Sequence, residues 1–299
     1  MLQYQKLLKD ILENGVEEKN ERTGTGTIKV YGRMLRFNLE DGFPLLTTKK
    51  MFVRGIIHEL LWFIKGDSNI RYLVKRGVNI WNEWPFQKYL KKNKLNRKFP
   101  TYSDRWKEKM QEFIEKIIND GKFAKKWGGC GPFYGVQWRN FNGLDQLNWV
   151  VKEIKNNPSS RRLIVNAWNA PLVDKMALPP CHVMYQFQVE NGKLNCMMYQ
   201  RSVDTFLGLP FNITSYALLT MMVAQVTKLK PGDLIMALAD THLYLNHLDQ
   251  AKEQIKRKPY PLPQMKINPK VKKIDNFRFE DFKLVNYKHH PPIQAQISV

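Results

Sequence analysis

Pro179-Pro180-Cys181-His182 opens a segment that runs to Gln200-Arg201-Ser202-Val203-Asp204 and on to Gly208-Leu209-Pro210-Phe211-Asn212. At its middle stands Asn191-Gly192, flanked on both sides by apolar alternation. An Asn-Gly pair between alternating runs predicts a two-residue type I′ turn, whose two central residues both need positive φ. Glu190 then faces Lys193, and stepping outward in pairs sets Cys181 opposite Ser202 and His182 opposite Arg201. Opposed residues of an antiparallel pair lie about 4.5–5.5 Å apart. A thiol, a hydroxyl and a guanidinium are therefore expected together at one end of a sheet, and a β-bulge would move the register by one residue. A candidate nucleophile, a cation suited to a phosphate and an amide suited to a base point to covalent chemistry on a nucleotide.

The remaining composition bounds the protein class. The chain has 299 residues, 43% of them hydrophobic, enough for a sizeable core. No linker separates two domains. The net charge is +21, from 48 Lys+Arg against 27 Asp+Glu, which favours anionic partners. The lysines are scattered rather than blocked, so solvated faces explain them better than a nucleic-acid groove. The 3 cysteines, Cys130, Cys181 and Cys196, form no CxxC pair, which argues against a disulfide framework or a zinc site. The N-terminus carries charges and lacks an apolar signal core, and no run reaches the ~18 apolar residues of a membrane helix. A soluble cytoplasmic protein is expected.

Tyr4, Leu7, Leu8, Ile11 and Leu12 recur at helical spacing, with Gly15 as a stop. Strands are expected at Ile28–Tyr31 and Leu163–Trp168, and helices at Phe52–Lys65, Trp106–Ile118 and Ile213–Thr227, the last apolar nearly all round and so buried. His242–Ile255 reads as an amphipathic helix with Tyr244, Leu248, Ala251 and Ile255 on one face. From Pro259 onward the pattern is strand and turn. Pro85 to Gly129 is Lys-rich and aromatic, and reads as an inserted subdomain outside the central sheet.

Glu59 shares a helical face with Phe52, Ile56 and Phe63, whereas Arg54, His58 and Lys65 fall elsewhere. Desolvation there would raise its pKa and suit it to proton transfer; an ion pair at the rim of the core fits equally well. A lone cysteine is most often a small buried hydrophobe. The stiff Pro179-Pro180 and cationic neighbours lift Cys181 above that expectation, whereas Cys130 and Cys196 have no such company. Arg161 and Arg162 would point to opposite faces of a strand; with Arg22 and Arg201 they could neutralise a phosphate. Asn212, just after Pro210, suits either a helix N-cap or uracil, whose N3–H and O4 match an amide. His242 and Tyr244 could bind a hydroxyl or simply pack. His182, His242 and His247 show no metal-ligand pattern.

Several motifs occur together: Glu21-Arg22-Thr23-Gly24-Thr25-Gly26, His58-Glu59-Leu60-Leu61-Trp62-Phe63, Gly131-Pro132-Phe133-Tyr134-Gly135-Val136-Gln137-Trp138-Arg139, Ser160-Arg161-Arg162, Pro180-Cys181-His182, the run Gln200–Asn212 and Asp240-Thr241-His242-Leu243-Tyr244. In this order, across nearly the whole chain, they resemble the folate-dependent thymidylate synthases. The resemblance implies an α+β fold with a large mixed β-sheet covered by helices. It further implies one catalytic domain over residues 1–299 with an inserted subdomain at about 85–129, and a homodimer whose sheets stack face to face. The activity implied is reductive methylation of dUMP to dTMP by 5,10-methylenetetrahydrofolate, a co-substrate, through a covalent adduct of Cys181 with C6; no metal is implied.

By the same resemblance Arg22, Arg201, Ser202 and, from a partner subunit, Arg161 and Arg162 hold the phosphate. His242 and Tyr244 hold the ribose, Asn212 reads uracil, and Gln200 and Asp204 complete the nucleotide site. Glu59 moves protons through water, and Tyr134 lines the catalytic cavity. Lys49, Ile80, Trp81, Leu178, Asp204, Gly208, Phe211 and Val299 border the folate. Asn82 stands where many members have Asp, Ala239 where Gly is frequent, and Ser298 where Ala commonly precedes the last residue. A looser tail would admit water and give hydroxymethyl-dUMP, so a dUMP hydroxymethylase is the nearest alternative. A basic nucleic-acid-binding module is the other, and it leaves the Cys181–Asn212 constellation unexplained.

Overall fold

The computed structural model describes residues 1–19 and 24–296. Arg22 and Val299 lie outside the described residues. In chain order the helices are α1 (Leu2–Asn14), α2 (Val53–Ile64), α3 (Arg71–Val74), α4 (Glu83–Lys92), α5 (Asp104–Asn119), α6 (Gly121–Trp127), α7 (Gly135–Arg139), α8 (Gln146–Asn156), α9 (Gly208–Thr227) and α10 (Leu248–Lys256). The strands are β1 (Val16–Glu18), β2 (Thr27–Asn38), β3 (Ile164–Asn166), β4 (His182–Glu190), β5 (Lys193–Asp204), β6 (Lys230–Tyr244), β7 (Gln264–Ile267) and β8 (Phe282–Val285). The chain forms two compact units, one of Met1–Ile56, Asn148–Val165 and Cys181–Val299, the other of Ile57–Leu147 and Asn166–Pro180.

The first unit holds a six-stranded mixed sheet in the order β1-β2-β6-β5-β4-β3. The Asn191-Gly192 turn forms as expected, with φ of 50° and 75°, and Glu190 pairs with Lys193. The expected register fails at the far end. A bulge between His182 and Met184 sets His182 opposite Gln200 rather than Arg201, and the Arg201 N–H donates to the Cys181 carbonyl at 2.9 Å. One extra residue on β4 absorbs the shift. β5 and β6 run parallel, which requires a crossover, and α9 supplies it. Leu35, Phe37, Tyr185, Phe187, Cys196, Met198, Leu234 and Met236 make the buried face of this sheet. α9 packs there, buried on nearly every side. Among the described residues it is the helix long and apolar enough to cross a membrane, but 78% of that window is buried within the protein. Its apolar character is that of a core helix.

Two sequence expectations are corrected here. His242–Ile255 is not one helix: His242 and Tyr244 end strand β6, a short 3-10 turn spans Leu245–His247, and α10 follows. β6 lies between β2 and β5, and His242, Leu243 and Tyr244 are all buried. A strand buried on both faces loses the alternation that separates it from a helix. Asn212 is not an N-cap either, because α9 already begins at Gly208. Pro210 falls in the first turn, where the missing N–H has no helical partner to lose.

In the second unit α2 buries Leu60, Leu61, Trp62 and Phe63. Rings pack on it: Phe63 lies 5.0 Å from Tyr134 and 5.6 Å from Trp138. Gly135 is required there, since a Cβ would sit 2.2 Å from the Phe63 carbonyl oxygen. α5 starts on Ser103, whose side chain accepts from the Trp106 N–H, and α6 on Asp120, which accepts from Lys122 and Phe123. Residues 85–129 contribute helices and no strand of the six-stranded sheet among the described residues.

Candidate active site

In the first unit the hairpin and α9 converge on one end of the sheet. Cys181 is half-buried, whereas Cys130 and Cys196 are buried, and burial pushes each of those two thiols up to about 12. A thiol that stays protonated is a poor nucleophile, so Cys181 is the cysteine placed for chemistry. Asn212 Oδ1 accepts from Gln200 Nε2 at 3.0 Å, and the amide also hydrogen-bonds His182. Burial drives the His182 pKa down to about 4 against that bond, so the ring is neutral at physiological pH. The amide of Asn212 is thereby oriented by two neighbours.

Asp204 ends β5 and pairs in register with His242, as Ser202 does with Asp240. Its Oδ1 accepts the N–H groups of Phe206 and Leu207, both at 3.1 Å, and so holds the turn into α9. Gly208 follows: a Cβ there would lie 3.4 Å from Asp204 Cβ and 3.9 Å from Asn212 Oδ1. Phe211 is half-buried on the same helix. Lys49 is buried, with Nζ donating to the Phe206 carbonyl at 2.6 Å and lying 3.6 Å from the Phe206 ring centre. Desolvation lowers its pKa to about 7, partly opposed by Asp204. His242 Nδ1 lies 2.7 Å from Asp240 Oδ1. An ionised Asp only accepts, so Nδ1 is the donor in this bond. The Asp240 pKa is lowered chiefly by that hydrogen bond. The Tyr244 ring is 5.3 Å from His242. Arg161 and Arg162 are exposed just before β3, with the Arg161 carbonyl accepting from Gln186 at 3.2 Å.

In the second unit Glu59 is buried and accepts from Trp81 Nε1 at 2.6 Å. Burial raises its carboxyl to about 7, against the lowering effect of the indole N–H. His58, expected off the apolar face, is buried too and lies 3.3 Å from the Tyr72 hydroxyl. Tyr134 is buried at φ 32° and ψ −102°, within the ring cluster on α2. Ile80 and Leu178 are half-buried. Among the described residues no cluster of His, Cys, Asp and Glu suits a metal.

Sequence reasoning missed Tyr4, whose hydroxyl donates to the Thr205 carbonyl at 2.9 Å. Burial, then the charge of Asp204, raises its pKa well above the usual value. On sequence it is one more apolar-face residue of α1. The role of Asp240 beside His242 was missed as well; the i, i+2 spacing on one face of a strand was the available signal.

The family model described as thymidylate synthase matches residues 2–299. The chain belongs to the thymidylate synthase family. Among its relatives, the thymidylate synthase of Mycoplasma mobile is 53% identical over 299 residues, covering 100% of both chains. That of Aster yellows witches'-broom phytoplasma is 54% identical over 296 residues, covering 99% of each, and that of Mycoplasma pneumoniae 50% over 299, covering 100% of each. Membership of the thymidylate synthase family makes this chain a methyltransferase. Neither a hydroxymethylase nor a nucleic-acid-binding module is favoured by these relatives.

Proposed function

We propose that this chain makes dTMP from dUMP, with 5,10-methylenetetrahydrofolate as one-carbon and hydride donor and dihydrofolate as the second product. The observation that carries this reading is Cys181, half-buried immediately before β4 and bonded through its carbonyl to the Arg201 N–H. Its thiolate adds to C6 of dUMP, which makes C5 nucleophilic. Transfer of the one-carbon unit to C5 and loss of the C5 proton with elimination of tetrahydrofolate leave an exocyclic methylene. Hydride transfer from tetrahydrofolate to that methylene, with release of Cys181, gives dTMP and dihydrofolate. Glu59, with its carboxyl near neutrality, serves proton transfer, and Tyr134 lines the reaction cavity.

Arg22, Arg201, Ser202 and the partner subunit's Arg161 and Arg162 hold the phosphate. His242 Nε2 and Tyr244 take the ribose hydroxyl, while Gln200 and Asp204 support the nucleotide. Lys49, Ile80, Trp81, Leu178, Asp204, Gly208, Phe211 and Val299 border the folate. The chain acts as one catalytic domain with its insert at about 85–129, in the cytoplasm. The decisive assay supplies dUMP and 5,10-methylenetetrahydrofolate, follows dihydrofolate by absorbance and weighs the nucleotide product. Dihydrofolate in step with dTMP is expected; tetrahydrofolate with hydroxymethyl-dUMP would overturn the reductive step.

Asn212 supplies the base preference. An amide whose oxygen already accepts from Gln200 can accept from uracil N3–H and donate to O4. Cytosine reverses that pattern. Asn212→Asp is expected to lose dUMP turnover and gain in relative preference for dCMP, by about 10²-fold or more in the ratio of kcat/KM. An unchanged ratio removes the residue from base reading.

A homodimer is part of the same proposal. The outer sheet face carries Met34, Ile164, Met197 and Tyr199, all exposed. Such a face is a common partner surface. Replacing Met197 and Tyr199 together by Glu is expected to turn a dimer into a monomer in sedimentation velocity, with loss of activity through the partner arginines. A dimer that survives both changes excludes this face.

A further inference from the structure

The second unit contains a cavity of about 530 Å³ that includes none of the residues assigned above. It lies among α4, the segment after it, the start of α5 and the chain around Lys175. That volume is in the range of small-molecule sites. Three aromatic side chains line it, Trp84, Phe99 and Trp106. Lys88, Lys91, Lys92 and Lys175 stand among them against the carboxylate of Asp174. Lys98 and Lys109 add charge nearby, each 5.7 Å from the Phe99 ring centre. Trp106 is 3% exposed, and its Nε1 is buried without a hydrogen-bond partner. Lysine and indole nitrogens donate and never accept. The lining thus offers ring surface and an excess of cationic donors, four lysines against the Asp174 carboxylate. A ligand that supplies negative charge and a planar ring matches it on both counts.

We propose that this cavity is a second ligand site, separate from the dUMP site, for a nucleoside polyphosphate. The lysines take the phosphates and the aromatic walls take the base. Two or more phosphates are implied by four cations against one carboxylate among the lining residues. The role fits the Lys-rich, aromatic composition of residues 85–129, which the reaction itself does not call on.

The test titrates the full chain with ATP, free of magnesium, while dUMP is saturating. Calorimetry counts sites and tryptophan fluorescence reports on the cavity walls. One further ATP site per chain is expected, with tripolyphosphate bound about tenfold more weakly because it cannot stack. Lys88→Gln with Lys91→Gln is expected to weaken ATP about fivefold and to leave dTMP formation unchanged. Trp106→Phe removes the orphan donor and should weaken ATP about threefold. Absence of ATP binding under saturating dUMP overturns the proposal. So does equal affinity for tripolyphosphate, or ATP binding untouched by the double lysine variant, whose exposed positions do not threaten the fold.

Discussion

Cys181→Ala is expected to lower dTMP formation by at least about 10⁴-fold, the scale on which removal of a nucleophile acts. No other thiol can substitute, because Cys130 and Cys196 are buried and held protonated, with pKa values near 12. Affinity for dUMP should change by less than about threefold, since phosphate and base contacts come from other side chains. The fold should also survive, because Cys181 is only half-buried and its structural tie to Arg201 runs through the main chain. The check is paired: single-turnover kinetics, and dUMP binding by calorimetry. Turnover within tenfold of the wild type sinks the covalent mechanism. Lost binding together with lost turnover instead assigns Cys181 to the architecture of the pocket.

Glu59→Gln should split activity from stability. Its carboxyl rises from 4.5 when free to about 7 in the fold because it is buried. A folded pKa above the unfolded one stabilises the protein fully below pH ~4.5, and this contribution is lost as pH climbs through ~7. Above that, the fold holds a buried carboxylate it disfavours by about 3 kcal/mol on this shift. Glutamine keeps an oxygen for the Trp81 N–H and carries no charge. The variant is therefore expected to melt higher than the wild type at pH 8.5, with the gap closing toward pH 5. Its turnover should fall about 10²–10³-fold with loss of the proton-transfer group. Trp81→Phe acts on the same carboxyl in the other way: losing the indole N–H removes a stabilising bond to the charged form, so the acidic limb of the rate profile moves to higher pH. A melting difference that does not vary with pH contradicts the buried-acid reading of Glu59, and an unchanged kcat removes it from catalysis.

Much of this was legible in local sequence. Asn191-Gly192 fixes a turn because two consecutive positive φ values suit few other pairs, and the pairing out to Met184 follows from it. Glu59 with Ile56 and Phe63 predicts a carboxyl on an apolar helix face, where the structure has it at 8% exposure, whereas Phe52, expected on the same face, precedes α2 and is exposed. The end of α1 follows from periodicity and Gly15, and periodicity alone places the body of α5, which the structure extends at both ends to Asp104–Asn119. The family itself was readable from short motifs kept in order along the chain, in which Gln200–Asn212 is the most specific.

Other features depend on partners distant in sequence. The bulge between His182 and Met184 decides that His182 faces Gln200. The end of β6 resembled a helix because His242, Leu243 and Tyr244 are all buried, which removes the alternation of a strand. Tyr4 reaches Thr205 across 201 positions, and Lys49 reaches Phe206 across 157. Local sequence therefore determined which groups are present, the turns and the amphipathic faces, since those follow from each residue's own φ, ψ and polarity. Only the tertiary structure decided which polar groups are desolvated and which amide, imidazole or lysine holds which partner. A pKa and a hydrogen bond depend on atoms brought close by folding, and no spacing along the chain encodes that distance.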